Sequence, residues 1–346
     1  MAKRVKIEDE APNSYFTSDK ANLKFISSGC TLLDCALGGG FALGRMANVV
    51  GDKSTAKTGT ATECLINFIK KYPSGNPAYR EIEAAWDNDY AEAMGLPIDK
   101  VDFGDPAKPI QTVEDFIRDF EQYCEQQKKG QEGLYIVDSL DALSDEEEME
   151  REVGEATYGM KKPKLLSEFF RKTARKIEQT NVCLLIISQV RDNIGAVGFG
   201  EKQKRAGGKA MDFYASQVVW FAHIGQIKRT IKGIDRVIGI DIRAKVKKNK
   251  VGMPFRECDY PFEFGYGIND FVANLAYLKK VKRLGDVDLD DADVKGEGWW
   301  NWPLMKELEK VDDADYRAEA ARVATAVVDV WREVETTFLP KRSKYG

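Results

Sequence analysis

A buried-strand pattern, Met46 to Val50, runs directly into Gly51, Asp52, Lys53, Ser54, Thr55, Ala56, Lys57 and Thr58, and an amphipathic helical stretch follows through Ile69. No other stretch limits the fold as tightly. Strand, tight polar turn and helix in that order match G-x-x-x-x-G-K-[ST], in which backbone amides at a helix N-terminus surround a phosphate group. Lys57 would supply the point charge and Thr58 a magnesium ligand. Ala56 departs from the pattern: a second glycine is expected there, and a methyl group crowds the closest approach of backbone to phosphate. ATP affinity or turnover is expected to suffer. Alone, such a loop also fits a plain structural turn, so the other strands must decide.

Leu134 to Val137, Val182 to Ser188 and Val218 to Phe221 read as further buried strands between amphipathic helical stretches. That alternation predicts an α/β fold with a mostly parallel, twisted sheet flanked by helices. The second strand ends in Asp138, about eighty residues after the lysine, where a carboxylate can hold magnesium at the carboxyl edge of a sheet. Between the two lies Glu81 to Tyr90, at the end of a strand starting near Ala78. Glu83 in that stretch is the candidate general base, since hydrolysis of a nucleoside triphosphate needs a carboxylate to orient and polarise water. Pro163 to Gln179 sets Leu165, Leu166, Phe169, Phe170, Thr173 and Ile177 on one side, which predicts a core-facing helix.

The 346 residues exceed the usual single-domain size, so a principal domain with a smaller appendage is expected. Residues 1–24 read as an arm, 25–284 as the core and 285–346 as a small, mainly helical C-terminal domain. An acidic loop (Asp286 to Asp293) and Trp299, Trp300 and Trp302 precede its long helix, with Val323, Val327, Val330, Trp331, Val334 and Phe338 on one face. A net charge of −4 and a pI near 5.5 do not announce a nucleic-acid binder. Local basic runs (Lys202 to Lys209, Lys228 to Lys232, Arg243 to Lys250) leave room for one. Six scattered cysteines and a single His223 argue against zinc and disulfides. The start of the chain lacks the apolar run of a signal peptide and no stretch is long enough to span a bilayer, so a reducing, cytoplasmic setting without membrane is expected.

Leu184 to Gly195 with Gln189, then Gly207 to Ser216, Lys245 to Lys250 and Gly265 to Asn269, in this order and spacing, resemble the RecA family of DNA strand-exchange recombinases over roughly residues 25–284. The resemblance implies a RecA-type P-loop ATPase core using ATP and Mg2+. In it Glu83 matches the hydrolytic glutamate, Gln189 a glutamine that reads the terminal phosphate, and Asp87, Tyr90 and Phe264 groups beside the adenine ring. Gly154 to Lys164 and Val190 to Lys209 resemble the two DNA-binding loops. Tyr158, Lys164, Ser167, Arg171, Arg191, Ile194, Gly207, Gly208 and Lys209 fall at DNA-facing positions, counting one inserted residue near Pro163. Amides, glycines and a few cations suit sequence-tolerant phosphate contact, and Ile194 a wedge between bases. Lys248 and Lys250 match paired lysines that reach the ATP of a neighbouring subunit.

The implied function is ATP-dependent homologous pairing and strand exchange by a helical filament on single-stranded DNA, with homologous duplex as second partner and a single-strand-binding or mediator protein as accessory. A bacterial cell or a phage-infected host is the implied setting; the compact length and divergent termini fit a phage-type relative. Two other readings stay open from the residues: a ring-shaped RecA-fold helicase or motor, and an ATP-gated DNA-binding mediator whose turnover is weak or lost through Ala56.

Overall fold

The computed structural model describes residues 23–151, 161–192, 203–204 and 208–342, with residues 191, 192, 203, 204, 208 and 209 described by their backbone. The expected N-terminal arm, with Tyr15 and Phe16, lies outside the described residues. The main sheet has eight strands: β1 (Met46–Gly51), β2 (Asn76–Glu81), β3 (Gly133–Asp138), β4 (Val182–Gln189), β5 (Gln217–Ile231), β6 (Ile234–Asn249), β7 (Glu257–Glu263) and β8 (Gly267–Ile268). Their spatial order is β8-β7-β6-β5-β1-β4-β3-β2. The strands from β5 to β2 in that order are parallel, and β6, β7 and β8 continue antiparallel. The sheet is thus the mostly parallel, helix-flanked one that the alternation predicts.

Its central strands are apolar on both faces because helices cover both. Leu134, Ile136, Cys183, Leu185 and Ile187 face one core, shared with α1 (Thr31–Leu37), α2 (Lys57–Lys71) and α7 (Asp270–Lys280). Tyr135, Val137, Leu184 and Ile186 face the other, filled by α4 (Val113–Gln126), α5 (Lys161–Gln179) and α6 (Gly208–Tyr214). There Phe116, Phe120, Phe169 and Tyr135 meet edge to face. Leu166, Phe169, Phe170, Thr173 and Ile177 are buried at the spacing that the sequence displays, and Leu165 is half-buried.

One sequence expectation is borne out and extended, and another needs correction. Val218–Phe221 is the start of a fifteen-residue strand that forms a long antiparallel ribbon with β6. At the tip, from Lys228 to Val237, the ribbon has no third strand, so most of its residues face water and lose the apolar continuity that marks a buried strand. Phe338 is 75% exposed because α8 (Asp313–Thr337) ends just before it. Val323, Val327 and Val330 of α8 are buried in the same core as α1 and α7, and Glu335 pairs with Arg256 on the β6–β7 side. The C-terminal stretch therefore packs on the sheet's first face.

Asp34 and Glu63 are buried carboxyls on that face, and burial pushes each up to about 7 against the pull of hydrogen bonds from Ser27 and Ser28, and from the Ile268 amide, respectively. A carboxyl raised on folding adds stability below its unfolded value near 4.3, and that contribution is lost as pH rises through about 7. Glu63→Gln should therefore gain stability on wild type by about 2 kcal/mol more near pH 8 than near pH 5. Urea denaturation at the two pH values measures the gap, and a gap independent of pH would place the titration elsewhere.

Candidate active site

In a parallel sheet covered on both faces, strand ends are where polar groups collect, and ligands settle at the carboxyl edge. Here β1, β2, β3 and β4 end at Gly51, Glu81, Asp138 and Gln189 on one edge. The Gly51–Thr58 loop leaves the middle of that edge and enters α2 at Lys57. Gly51 has no room for a side chain: a Cβ there would meet Thr55 Oγ1 at 2.5 Å. Thr55 Oγ1 donates to the Asp52 carbonyl at 2.8 Å, and Lys57 Nζ donates to the same oxygen at 2.6 Å. Lys53 and Ser54 are exposed on the outer rim of the loop. Burial depresses the Lys57 ammonium below its usual range, and the Asp138, Asp52 and Glu83 carboxylates oppose that depression.

Ala56 sits at φ 55°, ψ 29°, the left-handed region that favours glycine. For an L-residue this conformation costs about 1–2 kcal/mol. The methyl group packs against the core and lines the cleft beside the loop.

Thr58 Oγ1 donates to Asp138 Oδ2 at 2.6 Å, and the Tyr79 hydroxyl donates to the same oxygen at 2.7 Å. Asp138 is 5% exposed, so its carboxylate is held in place by both neighbours. A hydroxyl and a carboxylate oxygen this close are hard donors that fit Mg2+, which takes few protein ligands and keeps phosphate oxygens and water. Among the described residues no cluster of three or more acid, cysteine or histidine side chains is placed to hold a metal ion.

Glu83 is presented by a turn that Glu81 shapes: Glu81 Oε1 accepts from the amides of Glu83 (2.8 Å) and Ala85 (3.1 Å). Gln189 Nε2 then donates to Glu83 Oε1 at 2.9 Å. The candidate base and the candidate phosphate sensor, distant in sequence, touch across the edge.

A cleft of about 310 Å³ opens beside the loop, lined by Ser54, Ala56, Thr58, Gly59, Trp86, Asp87, Tyr90, Phe262 and Phe264. Asp87 caps the short helix α3 (Asn88–Ala93) by accepting from the Tyr90 amide at 3.0 Å. Gly265 N–H donates to the Tyr90 hydroxyl at 3.3 Å, which brings Phe264 to the same mouth. Trp86 was not singled out by sequence reasoning although it lies inside the stretch that was. Its ring packs on Tyr79 and Phe103 (centroids 4.4 and 5.3 Å) and offers the cleft an aromatic wall.

Lys248 and Lys250 do not join this edge. Lys250 N–H donates to the Ser216 carbonyl and Ser216 N–H to that of Met46, and Lys248 pairs with Val218 and through it lies level with Asn48, which places the two lysines along the amino half of β1. Gly51 is three to five residues further on, roughly 10–16 Å along the strand. The two ammonium groups instead meet the carboxyl end of α6: Lys248 Nζ donates to the Asp212 and Phe213 carbonyls, and Lys250 Nζ to that of Phe213. Phe213 beside them is 70% exposed, a feature no periodicity announces in a seven-residue helix.

Of the DNA-facing candidates, Lys164, Ser167 and Arg171 share one solvent-facing stripe of α5, with the Ser167 hydroxyl donating to the Pro163 carbonyl at 2.7 Å. Arg191 lies in a two-residue ladder with Lys204, and Gly208 and Lys209 open α6. Tyr158, Ile194 and Gly207 lie outside the described residues.

Phosphate is the ligand this edge suits best, and the class it defines is that of P-loop nucleoside triphosphatases. The RecA N-terminal domain family matches residues 14–269. The chain is 31% identical over 325 residues to the Protein RecA of Thioalkalivibrio sulfidiphilus, covering 93% of this chain and 87% of that one. It is 34% identical over 253 residues to the Protein RecA of Nitratiruptor sp., covering 71% and 68%. With the strand order and the phosphate loop already in place, these matches mean that the chain belongs to the RecA family.

Replacing Ala56 by glycine removes both the left-handed strain and the methyl group at the cleft. A fluorescent ATP analogue should bind Ala56→Gly a few-fold more tightly, about the factor that 1 kcal/mol provides, without loss of thermal stability. Unchanged or weaker binding would mean that the methyl group does not touch the nucleotide.

Proposed function

We propose that this chain is an ATP-dependent recombinase that polymerises on single-stranded DNA and pairs it with homologous duplex. The observation that carries the reading is the opposition of the two sheet edges. Phosphate-binding groups stand at the carboxyl edge, while Lys248, Lys250 and the exposed Phe213 stand toward the amino edge, with both ammonium groups turned to the end of α6 and away from the same protomer's phosphate loop. A surface that complements a different surface on an identical copy makes head-to-tail contacts, which generate helical filaments when they do not close. The nucleotide would lie at each such contact, held by Lys57 on one side and the paired lysines on the other.

On this reading ATP with Mg2+ is the substrate. Thr58 and Asp138 would hold the metal, which would supply charge neutralisation to the phosphates when bound. Glu83 orients and deprotonates the attacking water, and Gln189 relates the terminal phosphate to the segment that follows it. Single-stranded DNA would lie along the α5 stripe and the segments around residues 154–164 and 190–209. Its binding would be governed by backbone phosphates and therefore be tolerant of sequence. Assembly and nucleotide binding then reinforce each other reciprocally. A single-strand-binding or mediator protein is the accessory partner this activity calls for. A bacterial cytoplasm or a phage-infected host is the setting it fits, and no described helix is long and apolar enough to cross a membrane.

Electron microscopy with ATP, Mg2+ and single-stranded DNA should show helical filaments, and rings or monomers would defeat the reading. Glu83→Gln should lower DNA-stimulated phosphate release on the order of a hundredfold or more while leaving filaments intact, as removal of a general base does. Joint replacement of Lys248 and Lys250 by alanine should abolish that release with no change in nucleotide binding by the dilute protomer; full activity would mean that each protomer works alone.

A further inference from the structure

The side chain of Gln189 meets Glu83, but its backbone amide has a partner of a different kind. Pairing between β3 and β4 stops at Val137 and Ile186, so the last residues of β4 have no strand on that side. Val190 N–H turns the other way, to the Gly51 carbonyl at 3.2 Å, and the alternation of a strand leaves the Gln189 N–H facing the gap. The Asp141 carboxylate fills it, accepting that N–H at 2.6 Å. Asp141 belongs to the tight turn Leu140–Ala142, directly after Asp138, and is 7% exposed.

The same residue holds a second segment. Its main-chain carbonyl accepts from Lys162 Nζ at 2.9 Å, and the ammonium also reaches the Leu143 carbonyl. Lys162 lies in the first turn of α5. One turn at the end of β3 is therefore bonded to the residue that precedes one proposed DNA-holding segment and to a residue at the end of the other. A carboxylate is a costly group to bury unless it is hydrogen-bonded, and an ionised acceptor makes a shorter, stronger bond to an amide than a neutral one. The Asp141 carboxylate also opposes the depression of the Lys57 ammonium by burial, as the weakest of the four acids that do so.

We infer that Asp141 is a positioning residue that couples nucleotide state to DNA grip: its carboxylate fixes Gln189 against Glu83, and its carbonyl ties that register to the start of α5. The inference rests on the function proposed above, in which Gln189 reports on the terminal phosphate. Rearrangement at Gln189 would then reach both segments through one peg, with no need for the two to touch.

The test compares Asp141→Ala with Asp141→Asn, which keeps an acceptor oxygen and drops the charge. The readouts are the single-stranded DNA concentration for half-maximal ATPase activation, the affinity for a fluorescent ATP analogue, and amide hydrogen exchange at Gln189. Loss of one buried hydrogen bond predicts that alanine raises the half-activating DNA concentration on the order of tenfold and leaves analogue affinity within about twofold, with the Gln189 amide exchanging faster; asparagine restores both. Asp141→Glu, which displaces the acceptor, should behave as alanine does and serves if the alanine variant does not fold. The inference is overturned if alanine activates like wild type, if analogue binding and DNA activation fall together, or if asparagine is as impaired as alanine. A wild-type protein whose ATPase ignores DNA would instead remove the functional reading beneath it, and this arm is read first.

Discussion

The structure depends on the meeting of Thr58 and Asp138, 2.6 Å apart at the carboxyl edge of the sheet. That contact joins the first turn of α2 to the end of β3, and through Tyr79 it also fixes the end of β2. Everything nearby is arranged to make it tolerable. The strands behind it are apolar on both faces, so the carboxylate cannot retreat into the sheet, and neighbouring hydroxyls hold it facing the phosphate loop. A metal shared with a nucleotide is what such a pair of oxygens can serve, and the Lys57 ammonium, depressed by burial, gains from the same carboxylate.

Much of this edge was legible in the sequence because buried parallel strands write themselves as apolar runs, and the residue that ends each run is at the edge by construction. Asp138 was found that way and Gly51 to Thr58 by their position between a strand and a helix, whereas Gln189 came only from the resemblance to the RecA family. The β5–β6 ribbon was only half visible: where it leaves the sheet, Ile231, Ile234 and Val237 are exposed among Lys228, Arg229, Asp235 and Arg236, and periodicity no longer separates inside from outside. Phe338 misled because helical spacing continues on paper past the point where the helix stops.

Asp141 and Trp86 mark a different limit. Each is an ordinary residue in its local context, an acid after a strand and an aromatic in a turn. Their importance comes from β3 ending before β4, and from Tyr79 and Phe103 lying where an indole can lean on them. Such relations are differences between elements distant in the chain, and no window of neighbouring residues contains them. The same holds for Lys248 and Lys250, whose meaning depends on which end of β1 they lie beside.

Edges with unlike chemistry give a row of such protomers a direction. If the paired lysines complete a neighbour's site as proposed, one terminal copy of a head-to-tail row keeps a nucleotide that no neighbour completes, so a row of n copies has n − 1 finished sites. A pair is therefore half idle and a long row almost fully employed, which makes very short assemblies poor consumers of nucleotide whatever the quality of each site. Length itself becomes a regulator of output, set by nothing more than the distance between the two ends of a single strand.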